Sequence, residues 1–92
     1  MNAKVKKLNK ELDATLVAEF VKTVTDAGIT GDGLLDPTKT QEVLLDVTGE
    51  DVLDGATLKA LKATGHLVTG NGERFDGDPM AEDAKFFIKV TA

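Results

Sequence analysis

His66 is the single histidine of the chain, and serine and cysteine are both absent. A nucleophilic triad would therefore need His66 as its base and a threonine as its nucleophile. No glycine-flanked elbow surrounds any threonine, so His66 reads as a half-buried residue opening a strand and titrating near neutrality. Without cysteine there is no thiol chemistry and no thiolate site for zinc or an iron–sulfur cluster. Phosphate binding is served no better. Gly31-Asp32-Gly33 lacks the Gly-Lys-Ser/Thr ending and puts an acid where an anion would sit, and Gly70-Asn71-Gly72 leads into no predicted helix. These residue types predict a protein that is not an enzyme, with no cofactor and no metal.

Charge is the stronger signal. Lys4, Lys6, Lys7 and Lys10 give the first ten residues +4 with no acid among them, whereas the rest of the chain carries sixteen acids against seven bases. A basic segment leads into an acidic body. The lysines are the candidate contacts for nucleic acid, each able to displace a counterion, although no arginine or aromatic accompanies them to read or stack a base. The acidic body would repel a phosphate backbone and suits a protein partner better. No apolar run is long enough to span a membrane. The lysine-rich start is not followed by the apolar stretch of a signal peptide, because Lys10, Glu11 and Asp13 interrupt it. A cytoplasmic location, or a particle assembled there, is expected, and the lack of cysteine fits a reducing compartment.

Acids near glycine raise the question of calcium. The stretch Gly28-x-Thr30-x-Asp32-Gly33-x-Leu35-Asp36 resembles a degraded EF-hand loop between two predicted helices. Gly28 and Thr30 stand where oxygen-rich side chains are required, and Lys39 replaces the closing glutamate. The stretch is expected to be a turn that binds no calcium. Asp76, Asp78, Glu82 and Asp83 are expected to form an acidic, solvated loop.

These side chains must be positioned by a small set of elements. A first helix is predicted from an Asp13 N-cap to Gly28, with Leu16, Val17, Phe20, Val21, Val24 and Ala27 at helical spacing on its core face. Residues 1–11 either extend that helix backwards or form a separate arm, and lysines on more than one face favour a basic, flexible arm. Asp36-Pro37 predicts a second helix over 37–48, burying Val43, Leu44 and Val47, stopped by Gly49 and leaving Leu45 partly outside the core stripe. Asp54 caps a third helix through Leu58, Leu61 and Ala63, which Gly65 ends in the left-handed conformation. The period then shifts towards two. His66 to Thr69, the Gly70-Asn71-Gly72 turn and Glu73 to Phe75 predict a hairpin, and Phe86 to Thr91 a last strand with Phe86, Ile88 and Val90 on one face. The expected class is α+β: three helices followed by a small antiparallel sheet, in one domain over residues 12–92.

This order, with Leu58-x-x-Leu61-x-x-x-Gly65-x-Leu67, a glycine-bearing turn and a Phe87-x-Lys89 or Phe86-x-Ile88 strand, resembles a winged helix-turn-helix domain over about residues 12–91. The resemblance implies that the third helix enters the major groove and that the loop around Gly70–Gly72 is a wing. Lys59, Lys62 and Arg74, together with the amino-terminal lysines, would then meet phosphates. The outward positions of the third helix, however, are Ala56, Lys59, Ala60 and Ala63, and of these only Lys59 can donate to a base edge or phosphate. Glu73 to Asp83 adds five acids to Arg74 alone. The leading expectation is therefore a non-enzymatic binding module that acts through protein–protein contact as an inhibitor, adaptor or accessory protein. Leu45, Ala56, Ala60, Ala63, Asp76 and Asp78 are its candidate contacts. In style the chain resembles the small accessory proteins of phages and mobile elements. A winged-helix transcriptional regulator is the first alternative, and a structural component of a virion or other particle is the second.

Overall fold

A computed structural model describes residues 3–29 and 33–90, with side chains from Leu12 onward. Three helices, α1 (Ala3–Asp26), α2 (Pro37–Thr48) and α3 (Gly55–Ala63), precede two short strands, β1 (Leu67–Val68) and β2 (Phe87–Ile88). The chain is an α+β domain.

Each helix boundary has a local cause. The Asp36 carboxylate accepts the backbone N–H of Thr38 at 2.9 Å, Pro37 supplies the fixed φ of a first helical residue, and Gly49 ends α2 at φ +74°. Asp54 likewise accepts from the Thr57 N–H at 2.8 Å to open α3. After α3, Gly65 turns at φ +81° so that the His66 N–H reaches the Leu61 carbonyl at 2.8 Å. A side chain at Gly65 would be strained there, which is why the predicted stop falls where it does.

The first helix differs from expectation at its start. It begins at Ala3, so Asp13 lies inside α1 and does not cap it, and the lysine-rich segment has helical backbone from residue 3 onward. Between Lys4 and Leu12 there is no glycine or proline, and Lys, Leu and Glu all favour helix, so nothing in the segment interrupts it.

The core gathers one face of α1 (Val17, Phe20, Val24), Leu44 of α2, Ala60 and Leu61 of α3, and Leu67, Ile88 and Val90 from the sheet region. Helices α1 and α3 form the principal helix pair. Leu16, Val21 and Ala27 pack against the same cluster, as the α1 periodicity predicts. On α2 the buried stripe is narrower than expected: Thr40 and Leu44 are buried, whereas Val43 and Val47 are 41% and 59% exposed. Thr40 fills the inward position one turn before Leu44, its hydroxyl donating to the Asp36 carbonyl at 2.8 Å. Among the described residues no element covers the flanking valines.

The sheet is smaller than predicted and paired differently. Strands β1 and β2 are antiparallel, with Leu67 opposite Ile88 and Val68 opposite Phe87. Arg74 adds a single bridge to Val68 beyond the tight turn, where the Thr69 N–H reaches the Glu73 carbonyl at 2.7 Å, so the expected hairpin is reduced to one pair. Leu35, in the α1–α2 connection, bridges the other edge of β2 through two hydrogen bonds of 2.9 Å with Ile88. Leu35, β2, β1 and Arg74 thus lie side by side, with Ile88 fully buried between Leu35 and Leu67.

Candidate functional site

Helix α3 is set by its buried face. Thr57, Leu58, Ala60 and Leu61 point inward, leaving Ala56, Lys59 and Ala63 exposed and Lys62 half-buried. The expectation for Ala60 is corrected: it is 0% exposed and belongs to the core with Val17, Phe20 and Val24. A helix of nine residues held against α1 buries more than a narrow Leu58–Leu61 stripe, and a small side chain at position 60 allows the close approach. The outward small-residue face is reduced to Ala56 and Ala63. Leu45 is 49% exposed on α2, as its position predicts.

The segment from Thr69 to Phe86 folds back on the domain. The Phe75 and Phe86 rings meet at 5.3 Å between centroids, and Gly77 lies so close to Phe75 that a Cβ there would be 2.8 Å from Cζ. The Asp78 carboxylate accepts the Met80 N–H at 3.0 Å, Pro79 is buried, and the Met80 side chain reaches over Gly55 at the start of α3. Asp76 and Asp78 are exposed, and Arg74 lies 3.7 Å from Asp76 in a solvated ion pair. The acidic segment therefore leans on the amino end of α3, where Asp54 already stands. Phosphates approaching that end would meet carboxylates.

Beneath this segment lies an apolar cleft of about 470 Å³ between α2, the α2–α3 link, α3 and the return to β2. Pro37, Leu53, Leu58, Ala84 and Phe86 make its apolar surface, Thr38 and Gln41 add polar groups, and Glu42 and Asp51 stand at it as its charged residues. Gln41 ties two walls together, its Oε1 accepting the Leu53 N–H at 2.8 Å, while its Nε2 is buried with no hydrogen-bond partner among the described residues. Arranged this way, the described residues of the site present an apolar surface with carboxylates and no cation. It can take an apolar side chain flanked by positive charge, and it brings together no acid–base pair.

Two titrating groups stand elsewhere. Hydrogen bonds from the Thr57 backbone and hydroxyl hold the Asp54 carboxyl below its ordinary value. Burial, with Lys89 nearby, pushes His66 below the usual histidine value, although a backbone hydrogen bond at Thr64 works the other way. The His66 Nδ1 lies 2.8 Å from the Thr64 hydroxyl, a local contact after the α3 stop.

The candidate residues are thus dispersed. Ala56, Lys59 and Ala63 share one face of α3, Leu45 lies on α2, and Asp76 and Asp78 lie in the folded-back segment; the side chains of Lys4, Lys6, Lys7 and Lys10 fall outside the described residues, as does Asp32 of the EF-hand-like stretch. The cleft residues Gln41, Leu53, Ala84 and Phe86 were not singled out by sequence reasoning as contacts. Gln41 alone carried a signal, since it lies four residues after Pro37 and three before Leu44, on the inward side of α2. This chain matches no family model, no curated protein and no solved structure.

Proposed function

We propose that this protein is a non-enzymatic binding module whose cleft between α2, α3 and the β2 return takes a basic, amphipathic segment of a protein partner. The observation that carries this reading is the combination in one cleft of Pro37, Leu53, Leu58, Ala84 and Phe86 with Glu42 and Asp51 and, among the described residues, no cation. The acidic Asp76–Asp83 stretch over the start of α3 supports a protein partner over nucleic acid. Among the described residues no helix is long and apolar enough to cross a membrane. Action in the cytoplasm, as an inhibitor, adaptor or accessory protein, belongs to the same proposal.

A winged-helix DNA-binding regulator is the second reading. One observation favours it: Leu35, lying between the first two helices, pairs with β2, which in turn pairs with β1 after the third helix. Lys59 and Lys62 on α3 would then meet phosphates.

A fluorescent lysine-rich helical peptide with leucine anchors, titrated in parallel with labelled duplex DNA at low and moderate salt, separates the two. Saturable peptide binding that Ala84→Arg weakens at least about tenfold supports the module. Duplex binding that falls steeply with salt and with Lys59→Ala and Lys62→Ala, beside no peptide binding, would replace it with the regulator.

A further inference from the structure

We infer that the chain supplies its own ligand: the lysine-rich start of α1 in one copy docks in the acid-bearing cleft of a second copy. The inference rests on the cleft reading above and names its occupant.

Three observations on the occupant converge. Helix α1 is continuous from Ala3 to Asp26, and among the described side chains, which begin at Leu12, the first to pack on the core are those of Leu16 and Val17. At a rise of about 1.5 Å per residue, the segment from Ala3 to Leu16 extends roughly 20 Å along the α1 axis. Leu12, one turn before Leu16, is 58% exposed. Val5, Leu8 and Leu12 recur at i, i+3 and i+7, the spacing of a helix that sets apolar anchors into a groove, with Lys4, Lys6, Lys7 and Lys10 around them. As part of one helix with the residues that pack on the body, this segment is placed to reach a second copy.

Charge selects the cleft as its seat. The segment carries +4 over the first ten residues, and the remainder of the chain carries −9. Glu42 and Asp51 stand at the cleft, with Glu50 adjacent in sequence to Asp51 and Glu82 and Asp83 preceding Ala84; Lys85 is the one opposing charge in that stretch. Two α1 starts laid side by side would instead bring lysine against lysine. The contact of one copy's helix start with another copy's cleft is head-to-tail, so each bound copy still offers a free end and a free cleft. Assemblies therefore grow past dimers unless the ring closes.

The test is sedimentation velocity of the full chain over a concentration series at low and high salt, for three proteins and one mixture. In one variant Lys4, Lys6, Lys7 and Lys10 are changed to Glu; in another Glu42 and Asp51 are changed to Lys. Each variant alone should weaken self-association at least about tenfold, and high salt should do the same to the parent chain. Mixing the two variants should restore association between them, which also shows that both are folded. A parent chain that stays monomeric at every concentration overturns the inference, as does self-association indifferent to both charge reversals. If the parent is monomeric while the heterologous lysine-rich peptide still binds the cleft, only the self-docking inference falls. If neither the peptide nor a second copy binds, the cleft reading falls with it.

Discussion

The contact between α1 and α3 and the flank formed by α2 with the folded-back Asp76–Phe86 segment are built from similar residues to different ends. On the first side Phe20, Val24, Ala60 and Leu61 are between 0 and 2% exposed. On the second, Val43, Leu45, Val47 and Met80 remain 41 to 59% exposed, and a cleft stays open between Phe86 and Gln41. Apolar area removed from water is what stabilises a chain of this size, by roughly 25 cal/mol per Å². The first side has used its apolar surface in folding, and the second leaves some of it exposed. The same residue type, alanine or valine, is therefore buried or exposed according to which element lies over it.

A charge placed on each side should separate the two regions most strongly. Ala60→Glu should destabilise the domain by about 4 kcal/mol or more, because it buries an unpaired carboxylate in the core, whereas Ala63→Glu on the outer face should stay within about 0.5 kcal/mol. Urea unfolding followed by circular dichroism reads both. Truncation of the packed side comes next: Leu61→Ala should cost about 3 kcal/mol, a large share of the roughly 5–14 kcal/mol expected for a chain of this length. Val47→Ala, by contrast, should leave the urea midpoint nearly unchanged.

Smaller effects test the joints between the two regions. Asp54→Ala removes the α3 cap and should cost about 1 kcal/mol. The Asp54 carboxyl titrates lower in the folded chain than in the unfolded one. Its contribution is therefore present above the unfolded carboxylate value and lost as pH falls through the folded one, so the penalty of Asp54→Ala should shrink in acid. The smallest effect belongs to His66, held below the usual histidine value by burial and by Lys89. Above the unfolded value both states are neutral; as pH falls below it the unfolded chain takes up the proton first, and stability drops until the folded value is passed. A His66→Gln variant should flatten that part of a stability-against-pH curve, measured by thermal unfolding.

The elements were largely legible because their signals are local. Asp36-Pro37, Gly49, Asp54 and Gly65 act on their own backbone neighbours, so α2 and α3 begin and end where these residues predict. The α1 core face followed from apolar spacing alone, since a helix repeats every 3.6 residues whatever it packs against. The start of α1 was misread because Asp13 has the composition of a cap, while the uninterrupted helix formers before it carry the helix back to Ala3.

The site was less legible. Wheel positions on α3 make Ala60 and Ala63 equivalent, and only the approach of α1 separates them into a core residue and a surface residue. Val43 and Val47 look as buried as Leu44 in the linear pattern, but among the described residues no element covers them. The cleft joins residues from Pro37 to Phe86, and the Gln41 to Leu53 hydrogen bond spans twelve positions. Helix limits, the division of charge between the start of the chain and its body, and the α+β class were written in the order of residues, because capping, periodicity and composition need no distant partner. The identity of the packed alanine, the strand partners of Ile88 and the existence of a cleft depended on how the chain returns on itself, because burial is a property of neighbours that meet only in three dimensions.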